Sequence, residues 1–245
     1  MTEQRRNSFN RGASGTHQSE LFAPTDAEIN FLWSFVQGSI MVPETWNALQ
    51  RGYGFCERHA WIHIGVEMSF RDEYLLGPTI LYAELIDRAL HAIDVPRSAG
   101  LHSLEHELRA RGPCFLCAMN LQNASTGVSP QTRLDRGREN SKLRNFAGRL
   151  EGVWYSFLCP DCSGRDSAEN APIRCRRHLV AAMKARVPVD VAEQESILRN
   201  LFSRVTRYQQ SFLVGGPAAS DHDRAALIAA IGWCSGWRPL LAQLS

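Results

Sequence analysis

A chain of 245 residues, 44 % hydrophobic and 21 % charged, can bury a substantial core and has the balance of an ordinary globular protein, so no exotic class is needed. The formal net charge of +2 demands neither a nucleic acid nor an anionic membrane as partner. The opening Met-Thr-Glu-Gln-Arg-Arg-Asn-Ser is polar, and no stretch approaches the roughly 20 apolar residues of a membrane span. The sequence is therefore read as cytoplasmic, with neither signal peptide nor anchor.

Residues 1–20 are rich in Ser, Gly, Asn, Gln and Arg, cannot offset their own ordering entropy and are expected to form a disordered tail. Residues 21–245 are expected to form one helical, metal-stapled domain, with 21–112 and 113–245 as its sub-lobes. Thr25 and Glu28 read as a capping box for a helix carrying Ile29, Leu32, Trp33, Val36 and Ile40 as far as Pro43. A short helix with Trp46 and Leu49 leads to a Gly-Tyr-Gly turn. The next runs from Cys56 to about Tyr74, and Pro78 opens another through Leu90. A short helix from about Ser103 is expected to stop at Gly112-Pro113. The polar segment from Asn120 to Gly152 holds a helix around Lys142 to Leu150, and Gly152–Leu158 is the best strand candidate, in a small β-hairpin near residues 152–162. Helices then follow from Cys175 to before Pro188, from Asp190 to about Phe212, and after Ser220, which caps the last with Asp223 near its start. The fold class is mainly α.

Six of the seven cysteines and two of the eight histidines fall into four doublets of one spacing. These are Cys56-x2-His59, Cys114-x2-Cys117, Cys159-x2-Cys162 and Cys175-x2-His178. In a reducing compartment such thiols favour metal binding over disulfides. Eight ligands suffice for two four-coordinate Cys3His sites, and zinc most readily accepts that set, so two zinc ions are expected. Cys159, Cys162, Cys175 and His178 have the spacing C-x2-C-x12-C-x2-H of a local finger, which leaves Cys56, His59, Cys114 and Cys117 for a longer closure. Three thiolates and a neutral imidazole around Zn²⁺ carry a charge of about −1, which Arg58 and the Arg174, Arg176, Arg177 cluster are placed to offset. An iron–sulfur cluster is the chemical alternative. Thioredoxin-like redox chemistry lacks the βαβ pattern it needs. Cys234 stands outside the doublets in an apolar helical stretch and reads as a small buried thiol.

Gly54-Phe-Cys-Glu-Arg-His-Ala-Trp61 with Gly77-Pro-Thr-Ile-Leu-Tyr82, Arg174-Cys-Arg-Arg-His-Leu179 and the closing Trp233-Cys-Ser-Gly-Trp237 resemble an uncharacterised prokaryotic family of helical proteins with repeated C-x2-C and Gly-Phe/Leu-Cys-x2-His motifs. The resemblance covers most of the chain from about residue 30 and implies metal binding without an established activity. That family places a C-x2-C ahead of its first C-x2-H, whereas no cysteine precedes Cys56 here. Its order would instead join Cys114 and Cys117 to Cys175 and His178, and Cys159 and Cys162 to Cys56 and His59. Both pairings use the same eight ligands.

Three further patterns carry weaker chemistry. His102-Ser-Leu-Glu-His106 matches the H-x-x-E-H of inverted zinc peptidases, although its third ligand is not identifiable and a solvent-facing helix reads equally well. His63 and Glu67 follow His59 at four-residue steps, as a support for the metal ligand or a polar face. Arg133, Arg136, Arg138, Lys142, Arg144 and Arg149, with only Asp135 and Glu139 between them, could meet phosphates. G-x-S-x-G, P-loop and G-x-G-x-x-G motifs are missing, which removes the easily recognised hydrolase and nucleotide readings. The sequence is thus read as a zinc-binding module that meets a protein partner or regulates, rather than an enzyme. A nucleic-acid-binding protein using residues 133–149 and a metal-dependent hydrolase or redox enzyme are the alternatives.

Overall fold

The computed structural model describes residues 22–38, 42–94, 100–121, 129–164 and 173–244. The expected tail at 1–20 and Ile40 lie outside them. Thr25 caps α1 (Asp26–Phe35), its hydroxyl accepting from the Glu28 amide while the Glu28 carboxylate accepts from the Thr25 amide. Pro43 opens α2 (Pro43–Gly52), whose end turns through Tyr53 at φ 58° and Gly54 at φ +80° into α3 (Glu57–Arg71). α4 (Leu76–Asp94) starts two residues ahead of Pro78, and α5 spans Gly100–Leu108. The short α6 (Phe115–Ala118) precedes α7 (Gln131–Arg138), α8 (Ser141–Arg149) and α9 (Glu151–Trp154), which runs into a 3-10 turn over Tyr155–Phe157. α10 (Pro160–Ser163), α11 (Arg176–Lys184), α12 (Val191–Gln210), α13 (Asp221–Ser235) and α14 (Arg238–Leu244) complete the chain.

The protein is mainly helical, as its periodicities predict. The β-hairpin near 152–162 does not form; among the described residues there is no strand. Aromatic and β-branched composition suggests a strand there, but burial repeats at Leu150, Trp154 and Leu158, a four-residue helical step. Trp154 fixes that choice by donating from Nε1 to the Ala147 carbonyl at 2.8 Å and stacking on Trp237 at 5.5 Å.

α3 and α13 are enclosed on every side, with His59 to Ser69 consecutively buried in the first and Ala225 to Ser235 in the second. α12 covers α4 and α13, while α1, α7 and α8 pack around α3. Trp61 of α3 donates to the Gly236 carbonyl at 2.8 Å, and Ser235 donates to the Phe55 carbonyl at 3.0 Å. These two bonds fix the start of α3, and with it Cys56, against the end of α13.

Candidate metal centres

All four doublets obey one local rule. Cys56, Cys114, Cys159 and Cys175 are the N-cap residues of α3, α6, α10 and α11, and His59, Cys117, Cys162 and His178 occupy the third helical position of the same turns. A capping box brings N-cap and N3 side chains together in this way; here the pair presents two metal-ligating atoms. None of the four cysteines makes a side-chain capping bond, so their sulfurs are left for one another and for an ion. The positive end of α3 favours the thiolate form of Cys56. Pro160 at the first position sets the α10 turn, and Gly164 at φ +66° ends it.

Tertiary packing gathers the doublets into two clusters, each able to hold a metal ion: Cys56, His59, Cys114 and Cys117, and Cys159, Cys162, Cys175 and His178. These are the groupings that spacing favours, not the crossed pairing implied by the family order. In the first, His59 Nδ1 lies 3.3, 3.5 and 3.4 Å from the sulfurs of Cys56, Cys114 and Cys117, and Cys56 Sγ lies 3.8 Å from Cys117 Sγ. In the second, His178 Nδ1 lies 3.3, 3.4 and 3.2 Å from Cys159, Cys162 and Cys175, with Cys162 and Cys175 sulfurs 3.7 Å apart. A tetrahedron with Zn–S of about 2.3 Å and Zn–N of about 2.05 Å has S···S edges of about 3.8 Å and S···N edges of about 3.6 Å. The observed spacings fit such a shell.

The surroundings of the two clusters differ. Buried His59 is 2.8 Å from Glu28 through Nε2, and Glu28 accepts Arg58 at 2.6 and 2.9 Å. Burial alone would raise the Glu28 carboxyl, but the bonds from His59 and Arg58 outweigh it and hold it at about 2. A carboxylate on the far ring nitrogen favours the tautomer that would offer Nδ1, which faces the three sulfurs, to a bound ion. Glu28 thus has two functions, of which only the capping one is visible in sequence. The Cys56 thiol is held down at about 3, by its bond with Cys114 foremost and His59 next, against burial, while Cys114 is pushed up by that same bond and by burial. In the second cluster the three cysteines are buried, whereas Cys117 of the first is exposed.

Three of the four arginines expected to offset the metal sites have carboxylate partners of their own. Arg58 is bound by Glu28, Arg174 by Asp161 at 3.4 Å and Arg177 by Glu57 at 2.8 Å. Arg176 runs into the interior. Comparison with family models, with curated proteins and with solved structures finds no match to this chain.

Other sequence candidates stand apart from the clusters. The imidazoles of His102 and His106 are 94 % and 66 % exposed, and Glu105 between them is bound by Arg109, so H-x-x-E-H does not converge on an ion here. His63 and Glu67 pair at 3.0 Å, buried, with the His63 ring against Phe35 and Phe55; they form a core pair and not a polar surface. Cys234 is fully buried, its thiol pushed up to about 12 by burial. Five of the six basic residues between 133 and 149 are engaged within the protein. Arg133 lies over Trp33, Arg136 donates to the Ser69 carbonyl at 2.8 Å, Arg138 bonds Asp26, Lys142 bonds Asp72, and Arg149 pairs with Glu73 at 3.6 Å. No helix among the described residues is long and apolar enough to cross a membrane.

Proposed function

We propose that the protein is a cytoplasmic helical module held by two structural zinc ions, and that it works by binding a protein partner or as a regulator rather than by catalysis. The observation that carries this reading is the complete set of four protein ligands at tetrahedral spacing in each cluster. A full protein shell leaves no coordination position for a substrate or an activated water. Zinc bound there would supply folding energy, an apparent ~10–16 kcal/mol for structural sites in small peptides. The chain's part is to hold Nδ1 of each histidine against three sulfurs. Zinc is favoured over a [4Fe–4S] cluster because in a cubane each thiolate binds a different iron, whereas these sulfurs are spaced to share one ion. A protein partner is favoured over nucleic acid because most cations of residues 133–149 are spent on the protein's own acids and rings.

Elemental analysis of freshly purified, reduced protein tests the reading, with thiol alkylation before and after chelation. Two zinc ions per chain, with six thiols exposed by a chelator, is the expected result. One ion or fewer would refute the two-site assignment, and iron with visible charge-transfer absorption would replace zinc by a cluster.

A further inference from the structure

Beside the first cluster opens a cleft of about 610 Å³, within the range of about 300–1,000 Å³ typical of small-ligand sites. Cys56 and Cys114 form part of its wall. Five arginines line it, Arg58, Arg109, Arg176, Arg177 and Arg238, against a single lining carboxylate, Glu57. Three of the five are neutralised individually, Arg58 by Glu28, Arg109 by Glu105 and Arg177 by Glu57. Arg176 and Arg238 are not.

Arg176 is 6 % exposed, yet its guanidinium bonds only neutral groups: the Cys234 carbonyl at 3.0 Å from Nε and the Leu108 carbonyl at 2.8 Å from Nη1, with the Tyr53 ring 4.4 Å beneath. Among the described residues no carboxylate pairs with it. A buried guanidinium with no carboxylate beside it is costly, and a negatively charged ligand in the cleft would complete the pair. Arg238 is exposed at the same cleft; its backbone amide donates to Glu57 at 3.1 Å, and among the described residues no acid pairs with its side chain. α3 and α11 both begin here, and their positive ends add to the guanidinium forks.

We propose that this cleft binds a small organic phosphate. Guanidinium forks pair with phosphate oxygens in two-pronged contacts that match its shape and its double charge. Phe55, Val180 and Pro239 give the cleft apolar wall for the organic part of an ester. The assignment goes beyond the structural zinc reading and does not depend on which metal fills the clusters.

Equilibrium binding on the full, metal-loaded chain tests it, with inorganic phosphate, phenyl phosphate and phenol as probes. Saturable binding of phenyl phosphate below about 1 mM, with none of phenol, is the expected result. Tighter binding of the ester than of inorganic phosphate identifies an organic phosphate, and equal or tighter binding of inorganic phosphate overturns the organic part of the assignment. The double variant Arg109→Ala/Arg238→Ala changes two exposed side chains outside both clusters, so its metal content should stay that of the parent. Its affinity for phenyl phosphate should fall at least tenfold. Failure of both phosphate probes to bind, or unchanged affinity in a double variant that retains its metal, would overturn the proposal.

Discussion

Glu28→Gln isolates the role of the carboxylate behind His59. The side chain keeps its size, so the buried site between α1 and α3 stays filled, but the arrangement of hydrogen bonds cannot survive. Glu28 meets His59 Nε2 at 2.8 Å, Arg58 at 2.6 and 2.9 Å, and the Thr25 amide at 2.8 Å. A glutamine has one acceptor oxygen, and its amide nitrogen would point two donors at groups that are themselves donors. His59 or Arg58 therefore loses its partner, and in either case the imidazole loses the negative charge that raises its basicity as a ligand.

Loss of such a partner typically costs 10–100-fold in metal affinity. That corresponds to about 1.4–2.8 kcal/mol at the first cluster. Because metal-binding energy is folding energy in such sites, the zinc-loaded midpoint should fall by roughly 3–11 °C for a chain of this length. Titration of the zinc protein with a chromophoric chelator should show two phases, and Glu28→Gln should advance only the one belonging to Cys56, His59, Cys114 and Cys117. An unchanged first-cluster phase, or an equal shift in both, would refute the reasoning, since Glu28 contacts His59 and not His178.

Four other outcomes are expected. His178→Ala removes the nitrogen that faces Cys159, Cys162 and Cys175, so zinc content should drop towards one per chain and stability with it, while His102→Ala and His106→Ala, both on exposed rings, should stay within about 0.5 kcal/mol by chemical denaturation. Gly232→Ala places a methyl 2.2 Å from Cε2 of the fully buried Trp237, so overpacking of about 1–3 kcal/mol or more should appear as a lowered denaturant midpoint. Alkylation of the zinc protein followed by peptide mass spectrometry should label exposed Cys117 before buried Cys159, Cys162 and Cys175; the reverse order would contradict the burial pattern. Filter binding at low salt should retain no nucleic acid through residues 133–149, and salt-sensitive retention that Arg136→Ala abolishes would restore that reading.

The residues of the two clusters were legible because the information is local: a cysteine and a second Cys or His three residues on form the N-cap and N3 pair of a helix, whatever lies elsewhere. The second cluster closes over a short segment and could be paired from spacing, which left Cys56, His59, Cys114 and Cys117 together as the remaining set; deciding against the crossed pairing needed the packing of the fold. Glu28 gave no ligand signal, since it is 31 residues from His59 and its sequence role as a capping residue is complete without the metal site. α7 was missed for a related reason. Among its eight residues, Gln131–Arg138, only Leu134 is strongly apolar, and the helix is held by contacts from outside, with Arg136 on the Ser69 carbonyl and Gly137 directly against Ile29. Gly152–Leu158 misled in the opposite direction, because strand-forming residue types there serve a helical burial period.

The two clusters use one ligand set with opposite protection. In the first, the imidazole is sealed in the core and tied to Glu28, which also binds Arg58, while Cys117 is an exposed residue on a four-residue helix. In the second, all three sulfurs are buried and His178 is the partly exposed ligand. A thiolate is the atom that an oxidant, an alkylating agent or a competing chelator attacks, so burial of sulfur gives kinetic protection where burial of the histidine does not. The first cluster joins segments 61 residues apart at its widest, and the second joins segments 19 apart. Ion loss from the first would therefore release the longer closure and leave the α10–α11 cluster intact. The order of thiol labelling and the two phases of chelator titration read that hierarchy independently of each other, and both should place the weaker hold on the cluster that also walls the arginine cleft.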